Sequence, residues 1–138
     1  MNKATSALPR DAQSISIAGF NLFAGPFYRL ADDGAVRRFA FVPEPRHMNS
    51  AGSVHGGALM TFADIAMSRS ARLESGAASC STVSLNCDFV NAGCEGAVIV
   101  ARVAVVRAAR TLVFLSAELA ADTLVVMTAS GLWRIVPP

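Results

Sequence analysis

Downstream of a polar loop, Glu44–Ser53, apolar and small side chains recur every three to four residues. Leu59, Phe62, Ala63, Ala66, Ser70 and Leu73 fall on one stripe. That spacing predicts a single long helix with Ser53 as its N-cap and Gly76 as its stop. Beyond Gly76 the period changes to two. Val83, Leu85, Cys87 and Phe89 alternate with Thr82, Ser84, Asn86 and Asp88, which predicts a strand over Thr82–Val90. Three runs rich in β-branched residues follow: Ala97–Arg107, Thr111–Ala121 and Leu124–Val136. Their links, Ala108-Ala109-Arg110 and Asp122-Thr123, are short enough to imply antiparallel neighbours. Upstream, Phe27–Leu30 and Val36–Val42 read as strands around the turn Ala31-Asp32-Asp33-Gly34, and Pro43 and Pro45 end the second. Residues 1–18 read as a loose lead-in or short helix, and residues 19–138 as one domain. Two strands, one long helix and four strands predict an α+β domain in which a curled antiparallel sheet buries one apolar helix.

Composition narrows the class. A chain of 138 residues supports one domain with a substantial core. Its hydrophobic fraction is 53% with only 16% charged residues, yet no run of eighteen apolar residues occurs, which argues against a membrane span. The longest apolar stretches are interrupted by Arg102, Arg107, Arg110 and Glu118. A soluble chain this apolar is expected to cover surface by self-association. The polar start MNKATSALPRDAQ has no apolar signal core, so a cytoplasmic protein is expected. Three cysteines without a CxxC pair or a Cys/His cluster read as structural thiols rather than a disulfide framework or zinc site. A net charge of +2 argues against a nucleic-acid partner. The positive charge is carried by eleven arginines and Lys3; genomic base composition explains the overall count, while individual arginines remain candidates for phosphate recognition.

The chemistry concentrates at the start of the helix. His55-Gly56-Gly57 leads directly into it, and glycines there leave the first backbone N–H groups accessible to a ligand oxygen. The helix dipole favours an oxygen gaining negative charge at that place. Asp64 is the acid within the apolar body of the helix; its neighbours three and four residues away are Met60, Thr61, Met67 and Ser68, none of them basic. Asp64 reads either as an ordinary exposed acid or as a desolvated functional group. His55, at a helix N-terminus, suits a neutral orienting or donating role better than that of an acid. His47 reads as structural. Gly56 and Gly57 fit close packing about as well as ligand contact, and Asn49 fits a turn or cap. No GxSxG elbow, P-loop or Rossmann glycine pattern is present.

The combination of Asn49, Gly52, His55-Gly56-Gly57 and Asp64 resembles the hotdog-fold acyl-CoA thioesterases, and within them the phenylacetate-pathway (PaaI-like) branch. Gly25-Pro26-Phe27-Tyr28, the strand from Thr82 to Phe89 and the closing long strands are similar as well, so the resemblance covers most of the chain from about Phe20. It implies a long helix wrapped by a curved antiparallel sheet of about five to six strands, paired as a homodimer and commonly a homotetramer, with active sites between subunits. Gly56 N–H would polarise the thioester carbonyl with His55 in support, and Asn49 would place the thioester or the water. Asp64 of the facing subunit would act as general base or nucleophile, and Thr82 would bond the water or the carboxylate. Gly57, Met60 and Met67 would line the acyl group, and Arg107 and Arg110 would reach coenzyme A phosphates. No metal or resident cofactor is expected, coenzyme A being part of the substrate. A hotdog hydratase or dehydratase and a non-catalytic acyl-CoA-binding protein are the alternatives.

Overall fold

The apolar stripe forms α2 (Gly56–Ser75), which buries Leu59, Phe62, Ala63, Ala66, Met67, Ser70 and Ala71. The computed structural model describes residues 7–136; residues 1–6 of the lead-in, together with Pro137 and Pro138, lie outside the described residues. Small side chains at 63, 66, 70 and 71 let the helix lie close on the sheet, while Leu73, expected on the stripe, stays 38% exposed. The Ser70 hydroxyl is satisfied locally by the Ala66 carbonyl at 2.8 Å, so a polar group is buried without an orphan. Gly76 ends the helix in the left-handed region, φ 72°, which a residue without a Cβ adopts freely. The start differs from the sequence expectation: His55, not Ser53, is the N-cap.

The remaining elements are β1 (Gln13–Ser14), the six-residue α1 (Gly19–Ala24), β2 (Phe27–Arg29), β3 (Arg37–Phe41), a 3-10 turn at Pro45–His47, β4 (Ser79–Phe89), β5 (Ile99–Ala108), β6 (Leu112–Ala121) and β7 (Leu124–Val136). They make one antiparallel sheet of seven strands in the order β1-β2-β3-β5-β6-β7-β4, one strand more than the five to six expected. The extra strand comes from the lead-in, where Gln13 and Ser14 pair with Arg29 and Tyr28. Leu8 and Ala12 pack with Leu30, Ala40 and Val98 in a small second core. The main core lies between α2 and the sheet, with Phe62 stacked on Phe27 at 5.7 Å and tilted against Phe41 at 5.5 Å. At Gly25 a Cβ would meet Ser16 at 2.8 Å, so glycine is what lets the end of α1 approach the segment that follows β1.

The strand β4 departs from simple alternation. Its register with β7 slips between Thr82 and Ser84, a bulge that leaves Val83 as the extra residue, 57% exposed. An extra residue switches faces, so Cys80 and Thr82 share the helix-facing side with Leu85 and Cys87, instead of Thr82 lying opposite them. Gly131 makes room for this on β7. A Cβ there would stand 2.3 Å from the Ser84 carbonyl oxygen and 2.8 Å from the Trp133 ring.

Candidate active site

At the start of α2, His55 is extended (φ −59°, ψ 133°) and its Nδ1 accepts the Gly57 N–H at 2.8 Å. That bond sets the tautomer: the neutral ring carries its proton on Nε2 and presents it outward, since His55 is exposed. The Gly57 N–H is therefore taken. The Gly56 N–H has no partner among the described residues, and it sits at the positive end of a twenty-residue helix. The ring of Phe89, from the far end of β4, covers Gly56 closely enough that a Cβ would meet it at 3.1 Å.

The preceding loop is held by its own side chains. Asn49 Oδ1 accepts the N–H groups of Ala51 and Ser53, and its Nδ2 donates to Ser53 Oγ at 3.0 Å. Asn49 thus orders the loop, and Ser53, expected to cap the helix, is instead its partner. His47 is buried; its Nδ1 accepts the Glu44 N–H at 2.9 Å and its Nε2 donates to the Ala24 carbonyl at 2.6 Å. Its backbone carbonyl accepts the His55 N–H at 2.8 Å, so the capping residue of α2 hangs from it.

Asp64 lies eight residues along the helix from Gly56, about 12 Å at the helical rise. Thr82 Oγ1 donates to Asp64 Oδ1 at 2.6 Å, a short bond of the charge-assisted kind. Half-buried Asp64 opens on a small cavity of about 120 Å³ shared with Ile15, Asn21, Ile65, Ser68, Arg69 and Arg72. Ser68 Oγ, one turn further on, accepts the Trp133 indole N–H at 2.8 Å, tying this part of the helix to the core. Burial, with Arg72 and Arg29 adding like charge, lowers Arg69 below the ordinary guanidinium range. A second, larger cavity of about 480 Å³ lies at the helix start. Phe20, Phe23, Ala24, Phe27, Met48 and Ala58 give it apolar walls, and His55, Gly57 and Thr61 face it. An unpartnered N–H at the helix start near an apolar cavity, and a carboxylate held by a hydroxyl further along, are features an acyl-transfer site needs. Within one chain they open into separate cavities.

Residues 51–128 match the sequence model of the thioesterase superfamily. The chain belongs to the thioesterase superfamily. No curated protein sequence matches it. Among solved structures, this thioesterase is similar to the PaaI protein of the Escherichia coli phenylacetic acid degradation operon (TM-score 0.75, 18% identity, 86% of this chain and 85% of that one). It is similar also to zebra fish thioesterase superfamily member 2 (TM-score 0.76, 22% identity, 86% and 87%). A third is a putative thioesterase, a phenylacetic acid degradation-related protein of Ralstonia eutropha JMP134 (TM-score 0.72, 25% identity, 78% and 83%). The fold is the hotdog fold of these proteins.

Other residues that the motif pattern singled out lie elsewhere in this thioesterase. Met67 is fully buried and belongs to the core, a correction to its expected place against the acyl group: on α2 it falls on the side facing the sheet. Met60 is 38% exposed on the outer side of the helix. Arg107 and Arg110 are exposed at the β5–β6 hairpin, where Ala108 pairs with Val113 and the end of β7 returns alongside. That is the Ser79 end of β4, opposite Phe89 and Gly56. The cavity walls Phe20, Phe23, Ala24 and Met48 and the covering ring of Phe89 went unread in the sequence. Phe20 and Phe23, three residues apart, were the available signal of a short helix. Among the described residues no cluster could hold a metal, and no helix is long and apolar enough to cross a membrane.

Proposed function

We propose that this thioesterase hydrolyses an acyl-CoA thioester at a site assembled from two copies of the chain. The observation that carries the reading is the separation of the two halves: a Gly56 N–H with no partner among the described residues, between His55 and Gly57 of the large cavity's lining, and the Asp64–Thr82 pair about 12 Å along the helix. One small reacting centre cannot use both within a single protomer. The edge of the sheet offers the remedy. Among the described residues the eleven-residue β4 is paired on one side only, by β7, and it carries exposed Val83 and Phe89, with Val90 just beyond it, and neither lysine nor proline. Such an edge invites pairing with another strand. A two-fold axis through the middle of β4 would lay the Thr82 end of one strand beside the Phe89 end of the other. Asp64 would thereby approach Gly56 of the neighbouring protomer, and Arg107 and Arg110 would come to the side from which coenzyme A phosphates enter.

The chemistry then follows. The acyl group occupies the cavity walled by Phe20, Phe23 and Phe27. The thioester oxygen accepts the Gly56 N–H, whose place at the helix N-terminus stabilises the charge gained on attack. In the general-base form, Asp64 across the interface takes a proton from water while Thr82 steadies its other oxygen's geometry. The carbon–oxygen bond forms, the carbon–sulfur bond breaks, and the departing thiolate recovers the proton. In the nucleophile form, Asp64 attacks the carbonyl carbon and the carbon–sulfur bond breaks to release the thiolate; water then opens the mixed anhydride, giving the free acid, regenerating the Asp64 carboxylate and supplying the proton the thiolate takes up. Single turnover in H₂¹⁸O tests the second form: water that opens the anhydride at the Asp64 carbon leaves label in Asp64, which the general-base form never does.

The test of the reaction itself is thiol release over a panel of aromatic, short-chain and long-chain acyl-CoAs by the native chain and by Asp64→Asn. Release by the native chain and its loss in the variant are expected. Absence of release from every member, or hydration of an enoyl-CoA without thiol release, contradicts the proposal.

A further inference from the structure

The large cavity depends on a wall with no core of its own. The helix α1 buries none of its residues, and Phe20 and Phe23, which face the cavity, are 64% and 76% exposed. Besides the half-buried Ala24, which packs against the main core, what holds it is the capture of three successive carbonyl oxygens at its end. Arg46 donates to the carbonyls of Phe23 and Gly25, and His47 Nε2 donates to that of Ala24 between them. Both donors are themselves held. The Arg46 guanidinium pairs with Glu44 at 2.9 Å, and His47 Nδ1 accepts the Glu44 N–H at 2.9 Å. Through its backbone carbonyl His47 also fixes His55, the cap of α2. One rigid 3-10 turn therefore sets the distance between the aromatic wall and the N–H that receives the carbonyl.

We infer that Arg46 and His47 are positioning residues that determine which acyl groups this thioesterase accepts. They act by clamping α1 as the far wall of the acyl cavity. The inference rests on the proposed acyl-CoA reading for its substrate, but the clamp itself stands on the hydrogen bonds alone. A two-carbon acyl group stays beside Gly56 and does not reach Phe20 or Phe23, whereas a ten-carbon chain must lie along them.

Arg46→Met removes the donors while keeping the stem, and His47→Ala removes the other. His47→Gln, with one amide donor and one carbonyl acceptor, supplies both bonds again. Amide hydrogen exchange over residues 19–25 is expected to quicken in Arg46→Met and His47→Ala, with α2 still protected, and to recover in His47→Gln. The ratio of kcat/KM for decanoyl-CoA over acetyl-CoA is expected to fall roughly tenfold in the first two variants, mostly through KM. Affinities for the analogues with CH₂ in place of the thioester sulfur should show the same selectivity without turnover. Unchanged exchange at 19–25 in Arg46→Met, whose side chain is exposed and whose variant keeps the core, would overturn the clamp. Equal losses for both chain lengths would overturn its role in selectivity, as would analogues that bind without preference or not at all. Selective analogue binding without thiol release would leave this inference standing and remove the hydrolytic reading.

Discussion

Thr82 Oγ1 donates to Asp64 Oδ1 at 2.6 Å, and it does so because β4 carries one residue more than its partner strand needs. Without the bulge at Val83, Thr82 would share a face with Ser84 and Asn86. With it, the hydroxyl lies on the face of Cys80, Leu85 and Cys87, which pack against the core beneath α2. Bulges commonly re-aim a side chain beside a site, and this one converts a polar strand position into the partner of the helix carboxylate.

Thr82→Val keeps the shape and removes the bond. A roughly tenfold to hundredfold fall in kcat is expected, and Thr82→Ser should retain most of the activity. Asp64→Asn should cost roughly a hundredfold or more with the melting temperature little changed. Steady-state thiol release and thermal denaturation read both.

The bulge requires Gly131, since a Cβ there would stand 2.3 Å from the Ser84 carbonyl oxygen. Backbone cannot yield as a flexible side chain can. Gly131→Ala is expected to destabilise the fold by roughly 2–3 kcal/mol in denaturant titration and to lower activity with it. A variant as stable as the native chain would show that the strand needs no glycine there.

Pro is the sharpest probe of Gly56. The position is the first of α2, where a missing N–H costs the helix nothing, and His55 already has the extended backbone that a following proline demands. The covering Phe89 ring is 54% exposed and free to give way. Gly56→Pro should therefore fold and lose roughly a hundredfold to a thousandfold in kcat, the usual loss of one oxyanion donor. Full activity in a folded variant would exclude the Gly56 N–H from catalysis.

The three thiols should differ in reactivity. Burial pushes the Cys80 and Cys87 thiols up, and Asp88 and then Asp64 add to this at Cys87, so both hold less thiolate near neutral pH. Cys80 also donates to the Ser68 carbonyl at 3.4 Å. Cys94 is exposed. Alkylation by iodoacetamide at pH 7.5, followed by mass spectrometry, should modify Cys94 first and the other two only slowly or on unfolding.

Much of this fold is written in periodicity. The α2 stripe persists from Leu59 to Ala71 in a twenty-residue helix that ends at a glycine in the left-handed region, and the last three strands are separated by links too short for anything but hairpins. What stayed hidden follows from physics that a pattern does not carry. The bulge sits inside an unbroken polar–apolar alternation, so nothing local marks Val83 as extra. The helix α1 buries no side chain and is held by its carbonyls through Arg46 and His47, twenty-one to twenty-three residues further along the chain, a link that no hydrophobic period records. Ser53 looked like the cap because serine often is one; the imidazole of His55 performs it instead. Within the motif, residue type and spacing singled out His55, Gly56 and Asp64 as candidates, and Asn49 takes the turn role that a loop asparagine commonly has, bonding Ala51 and Ser53 of its own loop.

Mixing two inactive variants tests the shared site most directly. Dimers combining one Asp64→Asn protomer with one Gly56→Pro protomer would contain one site with both defects and one with neither. Random reassociation of equal amounts makes about half of all dimers mixed, so about one quarter of the native turnover should return. Each variant alone should remain inactive. No recovery, with mixed dimers demonstrated by native mass spectrometry, would place Gly56 and Asp64 in the service of a single protomer and contradict the account.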